Sequence, residues 1–398
     1  MVSKGAAEMN AEANRVAVLG LGGGGSRVIA ELVTNETLGD EVQLAVADTD
    51  PRTLEEVSGV IQIPLGSDWA GSQGCGGDPS LGEKAATASV GDLKEFLRGA
   101  HMVIVVAGLG KGTGSGAARV IARLLRQTNT MAMFVVTLPF AFEGSYCGQR
   151  AEKDLQVLRD LTDAVMPIPN DLLFSSMPPN TTAGRAFEVV NSVLADGVSG
   201  LTRLARAEAH LPVDFAAVRA LLKDRPSFCA LGVGHGAGVD RWQEVIRDFL
   251  ACPFVGGPEA LTKADGAILT LIGEPGLSVG EMTTCLSSLQ QQCRPGARVM
   301  VGVYTDPRMQ AEVQLTGLIC RFAQTEPDKD VLTATAPAAT SARKGGKKKV
   351  ADDNRQGELP LLEQALGIFS DSPPTTVDGE NLDIPTFQRR GVYIDGGK

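Results

Sequence analysis

Short, unbroken apolar runs punctuate the first half of the chain, and between them apolar residues recur at helical spacing. Met102 to Ala107 is the clearest run: continuously apolar and rich in β-branched residues. That pattern predicts a strand buried on both faces, as in a parallel sheet. Arg15–Leu21, Val42–Ala47, Met131–Thr137 and Ala164–Ile168 read the same way. Helices are predicted from about Val28 to Val33, Leu81 to Leu97 and Gln149 to Thr162. Another starts near Ala117, with Val120, Ile121, Leu124 and Leu125 on its apolar side. Phe187, Val190, Leu194, Leu201 and Leu204 place one long helix over Thr181 to about Ala209. From residue 227 onward the strands are Phe228–Gly232, Ala267–Ile272, Arg298–Tyr304 and Val313–Leu318, with helices near Asp240–Leu250 and Glu281–Gln292.

Regular strand–helix alternation predicts an α/β, Rossmann-like three-layer domain. The long helix then leads into a smaller α+β domain with a four-stranded sheet and helices on one side. The expected divisions are a flexible start (1–14), an α/β domain (15–180), a central helix (181–210), an α+β domain (211–325), a flexible linker (326–380) and a terminal peptide (381–398). Past about Gln324 the chain is rich in Ala, Thr, Pro and Lys without apolar periodicity, which predicts a disordered tail.

Composition narrows the function classes. A length of 398 residues, 43% hydrophobic and 21% charged, suits a globular protein of two domains. A net charge of −10 argues against nucleic-acid binding by the body of the protein. No apolar run approaches the ~20 residues of a membrane span, and the start lacks the apolar core of a secretory signal. Seven cysteines without CxxC spacing suggest a reducing cytoplasm and no zinc. His101, His210 and His235 are far apart and read as structural rather than as metal ligands.

Two glycine clusters carry the candidate chemistry. Gly22, Gly23, Gly24 and Gly25 follow the first strand; Gly108, Gly110, Gly112, Gly114 and Gly116 follow Met102–Ala107. A strand, a glycine loop and a helix in that order aim free backbone N–H groups at one anion. Missing Cβ atoms let phosphate oxygens approach, and Thr113 and Ser115 offer hydroxyl donors. Lys111 lies inside the second cluster, so this is not a Walker A loop. Gly20-x-Gly22-x-x-Gly25, with Asp48 ending the next strand, also matches a dinucleotide fingerprint, so an NAD enzyme is an alternative. The second glycine cluster counts against it and favours a single nucleotide carrying a chain of phosphates. Ser72–Gly82, with Gly74 and Gly76, reads either as a phosphate cover or as a surface turn.

Gly110-Lys-Gly-Thr-Gly-Ser-Gly116 closely resembles the GGGTGSG phosphate signature of the tubulin/FtsZ family, with Lys111 in place of a glycine. Further stretches resemble the FtsZ branch in order. Leu138–Gly144 is similar to KPFxFEG, with Glu143 at the ribose position and Cys147 where an arginine follows; Arg150 is nearby. Ile168–Asp171 matches IPND, whose asparagine is Asn170. Phe187 matches the ring that stacks on guanine and Asn191 its companion asparagine, while Ser192 stands where the family has the aspartate that pairs with guanine. Ser26 and Arg27 replace a Gly-Asn pair that helps hold the nucleoside. His210–Arg219 contains a stretch similar to the synergy loop NVDFADV; Pro212 and Ala217 replace two of its residues and Asp214 remains. Asp214 equally suits a helix N-cap. Gly232–Gly238 resembles a glycine turn of the family. Asn381–Arg390 resembles the terminal peptide, with Ile384, Pro385, Phe387, Arg389 and Arg390 as anchors.

The resemblance implies a cytoplasmic cell-division protein at a mid-cell ring that binds GTP or GDP, with Mg²⁺ alongside the nucleotide. Head-to-tail polymerisation would let the neighbouring copy's Asp214 complete GTP hydrolysis, slowed by the substitutions. A filament scaffold without significant hydrolysis is the alternative. Its tail would bind membrane-anchored division adaptors, with no direct membrane insertion and no nucleic-acid partner.

Overall fold

The computed structural model describes residues 14–322 except 35–37, 40, 68–73, 179, 207–208, 224–226 and 258, together with 376–377 and 380–381. The main body, within residues 1–337, carries one ten-stranded sheet. Its strands are β1 (Val16–Leu21), β2 (Val42–Asp48), β3 (Ile61–Pro64), β4 (Met102–Gly108), β5 (Met131–Leu138), β6 (Ala164–Pro169), β7 (Ser227–Ala237), β8 (Gly266–Gly273), β9 (Arg298–Thr305) and β10 (Glu312–Phe322). The order is β3-β2-β1-β4-β5-β6-β7-β10-β8-β9. The first six of these strands run parallel. The expected four-stranded unit, β7-β10-β8-β9, is present but continuous with them, joined through the pair Val165↔Phe228. In the separate unit 338–398, Thr376–Val377 pairs antiparallel with Glu380–Asn381.

The helices are α1 (Gly22–Thr34), α2 (Pro51–Glu55), α3 (Pro79–Ala88), α4 (Val90–Leu97), α5 (Thr113–Arg126), α6 (Ser145–Leu161), α7 (Asn170–Ser176), α8 (Ala183–Thr202), α9 (Phe215–Leu222), α10 (Arg241–Ala251), α11 (Glu259–Thr262) and α12 (Val279–Gln292). Alternate residues of each central strand enter opposite cores. Val103, Val105 and Ala107 join the cluster that includes Ala117, Ile121 and Leu155, while Met102, Ile104 and Val106 pack in the cluster that includes Val28, Ile29 and Val198. Burial on both faces is why these strands read as unbroken apolar runs.

Several predicted boundaries move. Both predicted helix starts move towards the strands: the whole first glycine cluster lies in α1, which begins at Gly22, and α5 begins at Thr113, so that only Gly114 and Gly116 of the second cluster are helical. The helix expected over Leu81–Leu97 is two, broken at Ser89. That break fastens the end of β3, because Ser89 Oγ donates to the Pro64 carbonyl and accepts from the Gly66 N–H. The long helix ends at Thr202 in a 3-10 turn, Arg203–Ala205, where Arg203 is buried beside Asp306. Gly232–Gly238 is mostly strand, not a turn: β7 runs on to Ala237. Its glycines make room for α10, since a Cβ on Gly232 would stand 2.6 Å from Phe249 and one on Gly234 2.5 Å from the Val245 carbonyl.

Candidate functional site

β1 and β4 are neighbours, in register from Val16↔Met102 to Leu21↔Ala107. Their carboxyl ends therefore emerge side by side, and the glycine clusters meet. A Cβ on Gly22 would stand 3.3 Å from the Gly114 nitrogen, and one on Gly24 3.8 Å from Gly108 Cα. Between and beyond them opens a cavity of about 610 Å³. The first-turn N–H groups of α1 and α5 have no helical carbonyl within reach, and both helix dipoles place positive potential there. Two helix starts aimed at one cavity make an anion cradle that suits a chain of phosphates.

The glycines divide by physical role. Gly22 has φ +67° and Gly110 φ +93°, left-handed values that a side chain would strain. Gly25 and Gly114 are packing glycines: a Cβ on either would collide with the carbonyl of Val106 or Gly108 respectively. Gly116 is pressed against α3 at Pro79 and Gly82–Glu83, and a Cβ on Gly112 would lie 2.7 Å from Cys75 Cβ. Gly23 differs, since a Cβ there would meet only Thr53 Cγ2, at 3.9 Å. Its bareness serves the cavity rather than protein packing. Of the clustered glycines, Gly22, Gly23, Gly24, Gly108, Gly112 and Gly114 line the cavity, with Lys111 and Thr113.

The polar side chains at this end mostly hold the loops. Ser115 is fully buried and its Oγ accepts the Gly110 N–H at 2.7 Å. Its hydroxyl closes the loop instead of facing the cavity. Asp48, 5% exposed, does not line the cavity. It accepts from the Thr49 N–H at 2.6 Å and from Thr113 Oγ1 at 2.9 Å, so it ties β2 to the start of α5. Gly74 and Gly76 also lie off the wall, whereas Cys75 and Gly77 from the same turn are on it. Arg150 secures this turn, its Nη1 3.5 Å from the Gly77 carbonyl and its Nη2 3.6 Å from Asp78.

Lys111 Nζ lies 2.6 Å from Glu143 Oε2, and Glu143 Oε1 accepts the Phe140 N–H at 3.1 Å. Lysine and carboxylate thus bridge the rim between the α5 loop and the segment after β5. Cys147 packs under the same loop and its Sγ donates to the Gly110 carbonyl at 3.3 Å. Burial pushes its thiol pKa up, Glu143 adds to the rise, and Lys111 and Arg150 oppose it.

Away from the glycine elbows the wall is aromatic and amide-bearing. Phe140 stacks on Phe142 at 4.8 Å and meets Phe174 and Phe187 edge-on at 4.5 and 5.7 Å. Asn170, Phe187 and Asn191 line the cavity, as the family resemblance implied. Arg27, Phe140, Phe142 and Cys75 also line it and were not among the candidates. Arg27 was detectable, since it follows Gly23 and Gly24 by one helical turn and shares their face.

Asp214 is elsewhere. It caps α9, its Oδ1 accepting the Ala216 N–H at 2.9 Å. Arg219 of the same helix donates to Asn129 Oδ1 at 2.5 Å, and Asn129 lies just before β5. The Asp214 loop is therefore at the amino-terminal end of the parallel strands, opposite the cavity. Ile384, Pro385, Phe387, Arg389 and Arg390 lie outside the described residues. No described helix is long and apolar enough to cross a membrane.

The model of the GTPase domain of the Tubulin/FtsZ family matches residues 15–178, and that of the FtsZ family C-terminal domain matches residues 228–322. The chain is 30% identical to the cell division protein FtsZ of Coxiella burnetii, over 94% of this chain and 96% of that one. Among solved structures it resembles an empty FtsZ dimer from M. jannaschii, with TM-score 0.72 and 28% identity over 78% of this chain and 89% of that one. The fold is also that of a GTPγS-bound CetZ2 protofilament from Haloferax volcanii, with TM-score 0.64 and 22% identity over 81% of this chain and 97% of that one.

Proposed function

The chain belongs to the tubulin/FtsZ family, and on that footing we propose that it binds GTP between its glycine elbows, polymerises head to tail and completes hydrolysis at the joint between copies. The observation that carries this reading is the placement of two parts at opposite ends of the parallel strands. The cavity lies at their carboxyl ends and the Asp214 loop at their amino ends. Asp214 cannot serve the cavity of its own chain. Stacking copies end to end would bring it to the next cavity, where a carboxylate can polarise the attacking water.

The cavity fits a nucleoside triphosphate in two respects. At Gly23 the protein leaves space that nothing of its own fills, and two helix starts supply N–H donors at the same end. In the bound state Gly22–Gly24 and Gly112–Gly114 would hold phosphates, Phe187 would face the base and Asn170 and Asn191 the sugar and base. Among the described residues no three His, Cys, Asp or Glu side chains converge on a metal position. Mg²⁺ would therefore be held chiefly by phosphate oxygens and water, and would neutralise charge developing on the γ-phosphate.

Hydrolysis would be slow. Pro212 and Ala217 carry no group that could orient water, and positioned acid–base groups contribute ~10²–10⁴ in rate. The same substitutions support a second reading, a filament scaffold with little turnover. In either case the protein would act in the cytoplasm at the division site, with the segment around Ile384–Arg390 docking on membrane-anchored adaptors. Phosphate release measured against protein concentration separates the two. Turnover per subunit that rises cooperatively and is abolished by Asp214→Ala supports hydrolysis at the joint. Filaments without turnover above background support the scaffold, and absence of any bound guanine nucleotide refutes both.

A further inference from the structure

We infer that Arg27 is a specificity residue that reads the 6-oxo edge of the purine, so that the site selects at C6 of the base and not at C2. This rests on the reading of the cavity as a nucleotide site. Arg27 lies on α1 one turn beyond the phosphate-end glycines and lines the same cavity as Phe187 and Asn191 of α8. Its side chain is exposed, with no hydrogen bond, ion pair or ring contact among the described residues. A guanidinium presents five donors in a rigid fork, and here the fork is uncommitted.

The rest of the wall decides what that fork can meet. Guanine presents the donors N1–H and N2–H₂ on one edge and the acceptors O6 and N7 on another. The strongest reader of the first edge is a carboxylate, because a charge-assisted hydrogen bond is roughly twice as strong as the neutral ones that the amide oxygens of Asn170 and Asn191 could accept. Among the described residues the one carboxylate on the cavity wall is Glu143, and it is committed to Lys111 at 2.6 Å and to the Phe140 N–H at 3.1 Å. Reading the second edge takes a pair of donors, which Arg27 supplies; bidentate contact of arginine with O6 and N7 is a common specific pairing to guanine. Adenine carries an amino donor at position 6, which would confront the guanidinium donor to donor. Hypoxanthine keeps O6 and N7 and lacks only the 2-amino group, which this wall has no free carboxylate to read.

The test is equilibrium binding of GTP, ITP and ATP, each with Mg²⁺, to the full-length protein, to Arg27→Ala and to Arg27→Lys. Thermal melts without nucleotide check that the variants fold. The expected result is ITP within about threefold of GTP and ATP at least about tenfold weaker in the wild type. In Arg27→Ala the preference for GTP over ATP collapses toward unity. Arg27→Lys, which keeps the charge and loses the fork, retains overall affinity and loses most of the preference. ITP binding tenfold or more weaker than GTP overturns the inference, as does a GTP-to-ATP ratio unchanged in Arg27→Ala. Equal loss of GTP and ATP in that variant, with the ratio kept, also overturns it, because Arg27 would then act only as a charge. If none of the three nucleotides binds the wild type, the nucleotide reading itself fails.

Discussion

Replacing Gly23 by alanine separates ligand space from packing space. Gly23 is in the first turn of α1 and has no left-handed φ, so alanine can adopt its backbone without strain. The new methyl would meet only Thr53 Cγ2, at 3.9 Å, an ordinary contact. Alanine exceeds glycine in a helix interior by ~0.8–1 kcal/mol, and less near a terminus. The ligand-free variant should therefore be as stable as the parent or more so, by about 0.5 kcal/mol. Bound nucleotide is another matter, because on the proposed reading the methyl would stand where a phosphate oxygen approaches the N–H groups of α1. Loss of one charge-assisted hydrogen bond costs about 1.5–3 kcal/mol, roughly a 10- to 150-fold weaker Kd. Gly25→Ala should do the reverse, since its Cβ would collide with the Val106 carbonyl and lie 2.9 Å from the Gly20 carbonyl carbon. That variant should lose stability by about 1–3 kcal/mol, the range for overpacking. Urea unfolding without nucleotide and titration with a fluorescent GTP analogue measure both. A Gly23→Ala protein that folds normally and binds GTP as tightly as the parent would refute the assignment of that face to the phosphates.

Other outcomes follow from particular contacts. Asp214→Ala should cost about 1 kcal/mol of stability through the lost cap of α9, and should lower polymer-dependent phosphate release by ~10² or more; equal release by both proteins would remove Asp214 from the reaction. Asp306 is held well below the usual carboxylate range by hydrogen bonds from Arg308, with the buried Arg203 adding to the effect. A depressed carboxylate contributes stability above its unfolded pKa and loses it as pH falls, so Asp306→Asn should cost about 3 kcal/mol at pH 7 and progressively less below about pH 4, read by denaturant midpoints across pH. His235 of β7 has its pKa raised by its hydrogen bond to Asp196 of α8, at 3.3 Å, with Asp248 and Glu312 adding to the rise. A raised histidine contributes below its unfolded pKa of about 6.5 and is lost as pH climbs through the folded value. The Tm difference between parent and His235→Asn should therefore be larger at pH 6 than at pH 9.

Much of the site was legible in the chain because its signals are local. A strand buried on both faces must be apolar throughout, and β1, β2, β4, β5 and β6 were found within a residue or two of their bounds, whereas the short β3 was not predicted and β7 and β10 run beyond their predicted ends. Glycines placed after such strands were read as loops leading into helices; the first cluster instead opens α1, and the second spans the loop after β4 and the first turn of α5. Less legible was what each glycine does. Gly23 and Gly25 are indistinguishable by composition, yet one faces the cavity and the other the backbone of β4. Ser115 and Asp48 have the chemistry to touch a ligand, but their partners, Gly110 and Thr113, claim them first. β7 misled for a related reason: its glycines read as a turn when nothing shows that α10 lies across them.

The types and order of the longer elements, and the chemistry available at two glycine elbows, were thus determined by sequence alone, since each depends on residues close together along the chain; the short β3, α2, α7 and α11 were not. Tertiary structure decided that β1 and β4 pair although β2 and β3 intervene, which brings the elbows to one cavity. It also placed Arg27 on the cavity wall and Asp214 at the far end of the strands. Those outcomes rest on which distant segments pack together, and a pattern of apolar and polar positions specifies that a face is buried without specifying what buries it.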